Sequence, residues 1–312
     1  MRKHLRILGL LFVALALLVS GCGSGESFES GSGQPSGSEG TPQGKSSVSV
    51  KMGTQPWIGY GPWWIAEKKG IFEKYGLDVE MISFVQDSDI NAAFAANQIQ
   101  VANLATHTTM KMIANNDLDL SVIIFMDEST KADAVIAPEG MNSIQDLKGK
   151  KVGFEEGTTS DLLLRQALSD NGMSMEDLEA VFMPAADAGL ALLAKQIDAA
   201  VTYEPYISEV MKKGEKEGIH ILYSGSDSPG LISDVTVVKN DFLKEHPEMK
   251  ETLQKIWDEA LAYWKENPEE GNQIVAEGSG ISAEELPPIL EGLNFFDMKQ
   301  QKELLDSGQL LD

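Results

Sequence analysis

Aromatic rings and carboxylates stand at positions where they could hold a small ligand. Glycine and proline interrupt regular structure between Gly53 and Pro62, and this break carries Trp57 and Tyr60. An aromatic face attracts a cation by roughly 0.5–2 kcal/mol, and a neighbouring carboxylate adds charge-assisted hydrogen bonds. Our candidate ligand-binding residues combine such groups with hydroxyls and an imidazole near predicted strand ends: Trp57, Tyr60, Trp64, Thr106, His107, Asp133, Glu156, Thr158, Tyr203, Glu204 and Asp234.

Each candidate also has an ordinary structural interpretation. A carboxylate at a strand end commonly faces water or caps a helix N-terminus, and an aromatic ring commonly packs in the core. His107 could simply open a helix. Several carboxylates around one aromatic loop are harder to explain in this way, because loops seldom expose a large apolar surface without a partner or ligand. The combination therefore predicts a binding site.

The scarcity of arginine predicts the charge of the ligand. The three arginines are Arg2, Arg6 and Arg165, and Arg165 is placed two turns into a predicted helix. Since anions usually recruit bidentate arginine, we expect a small planar nitrogen-rich cation, with guanidinium as the sharpest candidate. Aromatic rings would stack on it while Asp133 and Glu204 accept its N–H bonds. A sulfonate- or nitrate-type anion held by helix N-termini, or a neutral pyrimidine, stays open.

The sequence carries none of the common motifs of catalysis. Cys22 is the single cysteine, and there is no HExxH, paired CxxC, P-loop, GxSxG or GxGxxG. We therefore predict no catalytic residue, no metal and no cofactor. The formal net charge of −23 argues against a nucleic-acid partner, which would require clustered lysine and arginine.

Short β-branched runs alternate with helical patterns, as in βαβ units, so the predicted fold class is α/β with a largely parallel sheet. Loops at the carboxyl ends of parallel strands are where ligands bind, and this arrangement would bring the candidates together. The predicted strands are 48–52, 77–83, 101–104, 122–125, 134–137, 152–154, 180–183, 200–203, 219–223 and 235–238. The predicted helices include 63–69, 90–96, 158–170, 186–195, 205–213, 241–245 and 248–266; after the last strand we expect helices alone.

The domain organisation follows from this order of elements. We expect lobe one at 48–135 plus 232–312 and lobe two at 136–231, joined by two hinge crossings around a ligand cleft. Residues 22–47 form a predicted flexible linker, because 15 of the 25 residues at 23–47 are Gly or Ser.

The N-terminus has the pattern of a secretory signal. Arg2, Lys3 and Arg6 precede an uncharged, mostly apolar run at 7–19, which is shorter than the ~20 residues of a membrane-spanning helix. The ending Val-Ser-Gly-Cys resembles the bacterial lipoprotein signal, which implies cleavage after residue 21 and a diacyl anchor on Cys22. Two chains, at ~0.8 kcal/mol per buried CH₂, anchor stably. A plain secreted protein with an incidental cysteine is the alternative.

A set of short motifs carries a family resemblance across the folded region. They are GYGPWWIA at 59–66, KGIFEKYGL at 69–77, DLKGKKV at 146–152, EGT at 156–158, DAAVTYEPY at 198–206, PGLISDV at 229–235, and DFL at 241–243 with HPE at 246–248. In order and spacing the chain resembles the extracellular solute-binding proteins of ABC importers, of the nitrate, taurine, sulfonate and thiamine-precursor type. The aromatic opening and Ala132-Asp133-Ala134 look most like the branch associated with urea and guanidine metabolism.

This resemblance implies a type 2 periplasmic-binding-protein fold whose two lobes close on a small-molecule solute. The partners would be an ABC permease and its ATPase, and the protein would be a monomer held at the extracytoplasmic face of the bacterial cell membrane. A thiamine-pyrimidine synthase branch of the family uses a cysteine-rich iron site, which this chain cannot form. A surface enzyme and a non-transport sensory lipoprotein are the competing functions.

Overall fold

The computed structural model describes residues 47–116 and 118–308. The predicted signal peptide, the predicted lipidation of Cys22 and the linker up to residue 46 lie outside the described residues. Within the described residues, no helix is both long and apolar enough to cross a membrane.

Strands and helices alternate over most of the described chain, as the α/β pattern predicts. The strands are β1 Val48–Thr54, β2 Leu77–Ser83, β3 Val101–Ala105, β4 Leu120–Ser129, β5 Asp133–Ala137, β6 Lys151–Phe154, β7 Glu179–Phe182, β8 Ala199–Tyr203, β9 His220–Ser224, β10 Ser233–Lys239 and β11 Leu293–Phe295. The helices are α1 Gly61–Lys68, α2 Ile71–Lys74, α3 Asp87–Ala95, α4 Thr106–Asn116, α5 Thr159–Asp170, α6 Ala185–Leu193, α7 Tyr206–Lys213, α8 Asn240–Glu245, α9 Met249–Glu266, α10 Pro268–Ser279, α11 Leu286–Leu290 and α12 Met298–Ser307.

Two mixed sheets define the two lobes. The first has the strand order β11-β4-β10-β3-β1-β2 and the second has the order β7-β6-β8-β5-β9. Strands β1, β2 and β3 run parallel, but β10 is antiparallel to both β3 and β4. Likewise β6 is parallel to β7 and β8, whereas β5 is antiparallel to β8 and β9. The predicted α/β class is confirmed, but a largely parallel sheet is not, because each strand that arrives from the other lobe is inserted antiparallel.

The chain crosses between the sheets at two adjacent places. The first crossing lies between Ser129, which ends β4, and Asp133, which begins β5, so the predicted boundary at 135 falls inside a strand of the second sheet. The return crossing reaches the first sheet at Ser233, beside the predicted boundary. The two crossings touch: Ser129 N–H donates to the Ile232 carbonyl oxygen at 3.0 Å. A Cβ on Gly225 would lie 2.3 Å from the Ser129 carbonyl oxygen, so this approach requires glycine.

The core of the first lobe forms around α1. Pro62 starts this helix at a position where its missing N–H costs nothing. Trp63 is fully buried and stacks on Phe72 with ring centroids 6.0 Å apart, and Trp257 of α9 packs against it at 5.3 Å. Removing such a ring costs about 3–5 kcal/mol. This packing holds the segment just before α1 rigidly at the edge of the first sheet.

Strand β11 was not predicted, because only helices were expected after β10. It has three residues and pairs antiparallel with the end of β4, where Phe295 stands opposite Asp127. A run of three residues is too short to show a strand period in the sequence.

Candidate functional site

A small cavity lies between the two sheets. Its volume is about 50 Å³. At roughly 10–15 Å³ of such space per water, it has room for about three to five water-sized groups. Both lobes contribute to its wall, which is lined by Gln55, Trp57, Tyr60, Leu104, Ala105, Asp133, Glu155, Thr158, Thr159, Ser160, Ala185, Tyr203, Ile232 and Asp234.

The aromatic part of the wall comes from the break between β1 and α1. Trp57 and Tyr60 are 6% and 2% exposed and belong to a single 3-10 turn that leads into α1. Gly59 lies between them, and a Cβ there would stand 2.1 Å from Asp127 Oδ2 and 2.3 Å from Trp57 Nε1. Only glycine therefore allows the indole and this carboxyl group to approach the turn so closely.

Three buried carboxyl groups meet beside these rings. Asp127 of β4 and Asp234 of β10 stand directly opposite each other in an antiparallel pair, and Asp133 begins β5. Their exposures are 0%, 5% and 6%. The Tyr60 hydroxyl donates a hydrogen bond to Asp234 Oδ1 at 2.8 Å.

The electrostatics of the site are strongly negative. Burial raises the pKa of Asp127 well above its usual range, and the nearby charges of Asp234 and Asp133 raise it further, whereas the adjacent indole N–H of Trp57 lowers it. None of the described residues that line the cavity is Lys, Arg or His. The buried charged side chains of the described residues are all acidic. Such a group of carboxyl groups is stabilised by protons or by a cation.

The second lobe supplies hydroxyls and one further carboxylate. The Thr158 hydroxyl donates to the Glu155 carbonyl oxygen at 2.9 Å, and the Glu155 N–H donates to Ser160 Oγ at 2.9 Å. Glu155 Oε2 accepts from the Ala185 N–H at 3.1 Å. These contacts hold the loop before α5 against the start of α6 and leave the first turn of α5 on the cavity wall.

Tyr203 closes the aromatic side from the second lobe. It stands opposite Asp133 in the antiparallel pair of β5 and β8. Its ring meets Trp57 edge to face at 5.9 Å and Tyr206 at 5.2 Å. The contact with Trp57 joins the two lobes directly across the cavity.

Six of the eleven sequence candidates line the cavity: Trp57, Tyr60, Asp133, Thr158, Tyr203 and Asp234. The other five, Trp64, Thr106, His107, Glu156 and Glu204, are not among its lining residues.

Two of these five have structural contacts elsewhere. Trp64 packs in the core against α10, where a Cβ on Gly278 would lie 2.2 Å from the indole. The Glu204 carboxylate accepts from Ser208 N–H at 3.0 Å and from its hydroxyl at 2.9 Å, and burial raises its pKa. Glu204 therefore accepts hydrogen bonds from the first turn of α7, as a helix cap does.

The remaining three are half-buried or exposed. Glu156 is exposed, and Thr106 shares a hydrogen bond with Ser233 at 2.8 Å. Burial, followed by the charge of Lys111, lowers the pKa of His107 to about 4, so its ring is neutral near pH 7. A hydrogen bond to the Thr158 backbone acts in the opposite direction on the same pKa. His107 thus contacts the second lobe from the start of α4.

Asp127 was missed by the sequence prediction. The predicted strand ended at 125, whereas β4 continues to Ser129 and carries Asp127 to the carboxyl edge of the sheet. The signal that could have found it is the polar residue at the end of an apolar run, directly before the crossing. Within the described part of the chain, no group of three or more His, Cys, Asp or Glu residues has a geometry suited to a metal ion.

The two sheets and the cleft between them have the fold of the periplasmic binding proteins. Residues 57–271 match the family described as NMT1/THI5 like, and the chain belongs to this family. The periplasmic aliphatic sulphonate binding protein SsuA from Escherichia coli is similar in structure, with a TM-score of 0.68 and 19% identity over 84% of this chain and 91% of that one.

Relatives in sequence include a protein of Brucella abortus (strain 2308) that is named as a binding protein. It is 31% identical over 221 residues, which cover 68% of this chain and 65% of that relative, so the match spans about two thirds of its length. The taurine-binding periplasmic protein of Escherichia coli (strain K12) is 23% identical over 263 residues, covering 79% of this chain and 81% of that protein.

Proposed function

We propose that this protein is a lipid-anchored solute receptor that captures a small nitrogen-rich cation, guanidinium above all, by lobe closure and delivers it to an ABC permease and its ATPase. The main support for a cationic ligand is a group of three buried carboxyl groups beside Trp57 and Tyr60, those of Asp127, Asp133 and Asp234. Membership of a family that includes binding proteins named for taurine and sulfonates supports the receptor role.

Charge favours a cation over an anion at this site. The lining residues of the described chain include three acidic side chains, Asp133, Glu155 and Asp234, and no basic one. An anion brought here would meet like charges at short range in a medium of low dielectric constant. A bound cation would instead offset the repulsion among the carboxylates, and this favours its binding.

Size and shape favour a ligand as small as guanidinium. Guanidinium has four non-hydrogen atoms, and the cavity has room for about three to five water-sized groups. Its flat faces suit the rings of Trp57, Tyr60 and Tyr203, and its N–H groups suit carboxylate acceptors such as Asp133 and Asp234. Since Glu204 is engaged with Ser208, we assign the second acceptor to Asp234 in place of Glu204.

A sulfonate-type ligand is the second candidate. The N-terminus of α5 lies on the cavity wall with Thr158, Thr159 and Ser160, and free N–H groups of a helix can hold an anion without arginine. A zwitterion such as taurine could place its ammonium group at the carboxylates and its sulfonate at this helix.

Calorimetry on the purified full chain distinguishes these ligands. We expect saturable binding of guanidinium at constant ionic strength, and no binding of urea, which has a similar shape but no charge. A ligand present at 100 times its Kd stabilises the protein by ~2.7 kcal/mol, so a thermal shift provides a second readout. Binding of taurine or an alkanesulfonate without any binding of guanidinium would reject the cation and retain the receptor.

The anchor is tested separately through Cys22. In bacterial cells, the wild-type chain should incorporate labelled fatty acid and fractionate with membranes, whereas Cys22→Ser should lose both properties. Removal of residues 1–21, which carry three basic and no acidic residues, would take the formal charge from −23 to −26. A wild-type chain that is secreted without fatty acid would contradict the anchor.

A further inference from the structure

We infer that Asp127 carries a proton in the working receptor and acts as a neutral positioning residue, with its O–H directed to Asp234 and its other oxygen receiving the Trp57 indole N–H. The site then presents two ionised aspartates, Asp133 and Asp234, to the ligand. This inference rests on the proposed binding of a cation and deepens it.

The register of the strands brings two carboxyl groups face to face. Asp127 and Asp234 are direct partners in the antiparallel pair of β4 and β10. Directly opposed residues have Cβ atoms about 4.5–5.5 Å apart, and two like charges in that position repel. Two ionised carboxylates have no hydrogen to share, whereas one proton between them converts the repulsion into a hydrogen bond.

The proton belongs on Asp127 because of its surroundings. Asp127 is completely buried, and neither of its oxygens has a hydrogen bond of standard geometry in the described structure. Asp234 already accepts the Tyr60 hydroxyl at 2.8 Å, which stabilises its charged form. Trp57 Nε1 and Asp127 Oδ2 both crowd the same point beside Gly59, so the indole N–H is at hand for the carbonyl oxygen of a neutral carboxyl group.

The neighbouring elements bring no positive charge to Asp127. The charged groups that shift its pKa are Asp234 from β10 and Asp133 from β5, and both raise it; the turn before α1 contributes the Trp57 N–H. On its other side β11 places Phe295 opposite it. The helices that pack on β4, α9 and α12, supply none of the groups that act on this pKa. Burial without a positive neighbour, beside two other carboxyl groups, favours the neutral form of Asp127.

The charge of the ligand gives no reason to release this proton. One guanidinium carries a single positive charge, and the two ionised aspartates together carry two negative charges. Ionising Asp127 would add a further negative charge to a buried site without a second cation to offset it. Binding should therefore proceed without net release of a proton from Asp127.

Substitutions at Asp127 test its role. Asp127→Asn keeps the shape and can donate to Asp234 while accepting from Trp57, whereas Asp127→Leu keeps the branching pattern, is bulkier, and can do neither. We expect the Kd for guanidinium to rise about tenfold or more in Asp127→Leu. In Asp127→Asn it should stay within about threefold of the wild-type value. By contrast, Asp234→Asn removes a charge that we assign to ligand binding, so this variant should bind guanidinium more weakly than Asp127→Asn does.

The number of protons exchanged when guanidinium binds is a measurement that a purely structural role of Asp127 would not affect. Calorimetric titration of guanidinium in two buffers of different ionisation heat should show no net proton exchange at pH 7. The infrared spectrum of the ligand-free wild type should contain the carbonyl band of a protonated carboxyl group, and this band should be absent in Asp127→Asn. This measurement requires neither the ligand nor the Asp127→Leu variant.

Release of about one proton per guanidinium, or a loss in Asp127→Asn equal to that in Asp234→Asn, would overturn the inference. Absence of the infrared band would overturn it as well. Failure of the wild type to bind guanidinium while the infrared band is present would instead reject the proposed ligand and leave the protonated Asp127 in place.

Discussion

The Tyr60 hydroxyl donates to Asp234 Oδ1 at 2.8 Å, joining residues 174 positions apart in the chain. Tyr60 comes from the turn before α1, and Asp234 comes from the strand that returns from the second lobe. The bond therefore ties the aromatic wall of the cavity to its carboxylates, next to the return crossing. A single contact thus links the geometry of the hinge to that of the site.

Loss of this hydroxyl should weaken ligand binding with little change in packing. In Tyr60→Phe the ring remains, but a buried acceptor loses its donor, which costs about 1–3 kcal/mol. We expect a higher Kd for guanidinium and a lower free energy of unfolding, measured by calorimetry and by chemical denaturation. Tyr75→Phe removes a hydroxyl that donates to Glu259 away from the cavity and is the matched control. Equal effects of the two variants on Kd would contradict the prediction.

Addition of one methyl group at Gly59 should disrupt the site. The new Cβ would lie 2.1 Å from Asp127 Oδ2, so the carboxyl group and the Trp57 indole would have to move. Overpacking of this kind typically costs about 1–3 kcal/mol. Chemical denaturation of Gly59→Ala should give that loss, and the fluorescence of Trp57 should change. A variant with unchanged stability and unchanged ligand affinity would show that the turn can relax without cost.

An ion pair across the lobes should favour the closed form. Lys212 of α7 contacts Glu285, at the start of α11, with 2.7 Å between Nζ and Oε1. Hydrogen bonds from this lysine and from Ser282 lower the pKa of Glu285 to about 2. Both side chains are largely in water, so we expect Lys212→Met to raise the ligand Kd no more than a few-fold, with the difference shrinking at high salt. Lys302→Met, which breaks an ion pair within α12, is the control and should leave the Kd unchanged.

The same pair sets a direction for acid sensitivity. Because the pKa of Glu285 in the folded protein is depressed, its contribution is fully present above its ordinary pKa near 4.5 and is lost as the pH falls toward about 2. The difference between wild type and Lys212→Met in thermal stability should therefore be constant at neutral pH and vanish in strong acid. A difference that grows on acidification would contradict this assignment.

Acid should also act through His107. Its pKa in the folded protein is lowered to about 4, so folding favours the neutral ring. Its contribution to stability is complete above its ordinary pKa of 6.5 and is lost as the pH falls from there to about 4, by roughly 3 kcal/mol. Denaturation as a function of pH should show a shallower acid limb for His107→Gln than for wild type. His246→Gln, at the half-buried C-terminal end of α8 and away from the cavity, is the control. Equal limbs in all three proteins would reject the prediction.

The fold class and most of the secondary-structure elements follow from local sequence patterns. Strand β2 was predicted at the residues where the structure has it, Leu77–Ser83, because apolar residues alternate with Asp78 and Glu80 directly after Gly76. Helix α1 was placed to within two residues at its start and one at its end, since Pro62 and Gly70 mark its limits. Such signals are local, so they can be read without the rest of the chain.

Which candidates reach the cavity depends on how distant segments of the chain pack together. Trp57 and Trp64 are both aromatic residues near Gly59, but the docking of α1 on α10 turns Trp64 into the core. Asp234 and Glu204 are both acidic residues near a strand end, but the short step from Glu204 to α7 turns its carboxylate to Ser208. The pairing of Asp127 with Asp234 depends on the register of two strands more than a hundred residues apart in the chain, and no local pattern specifies that register.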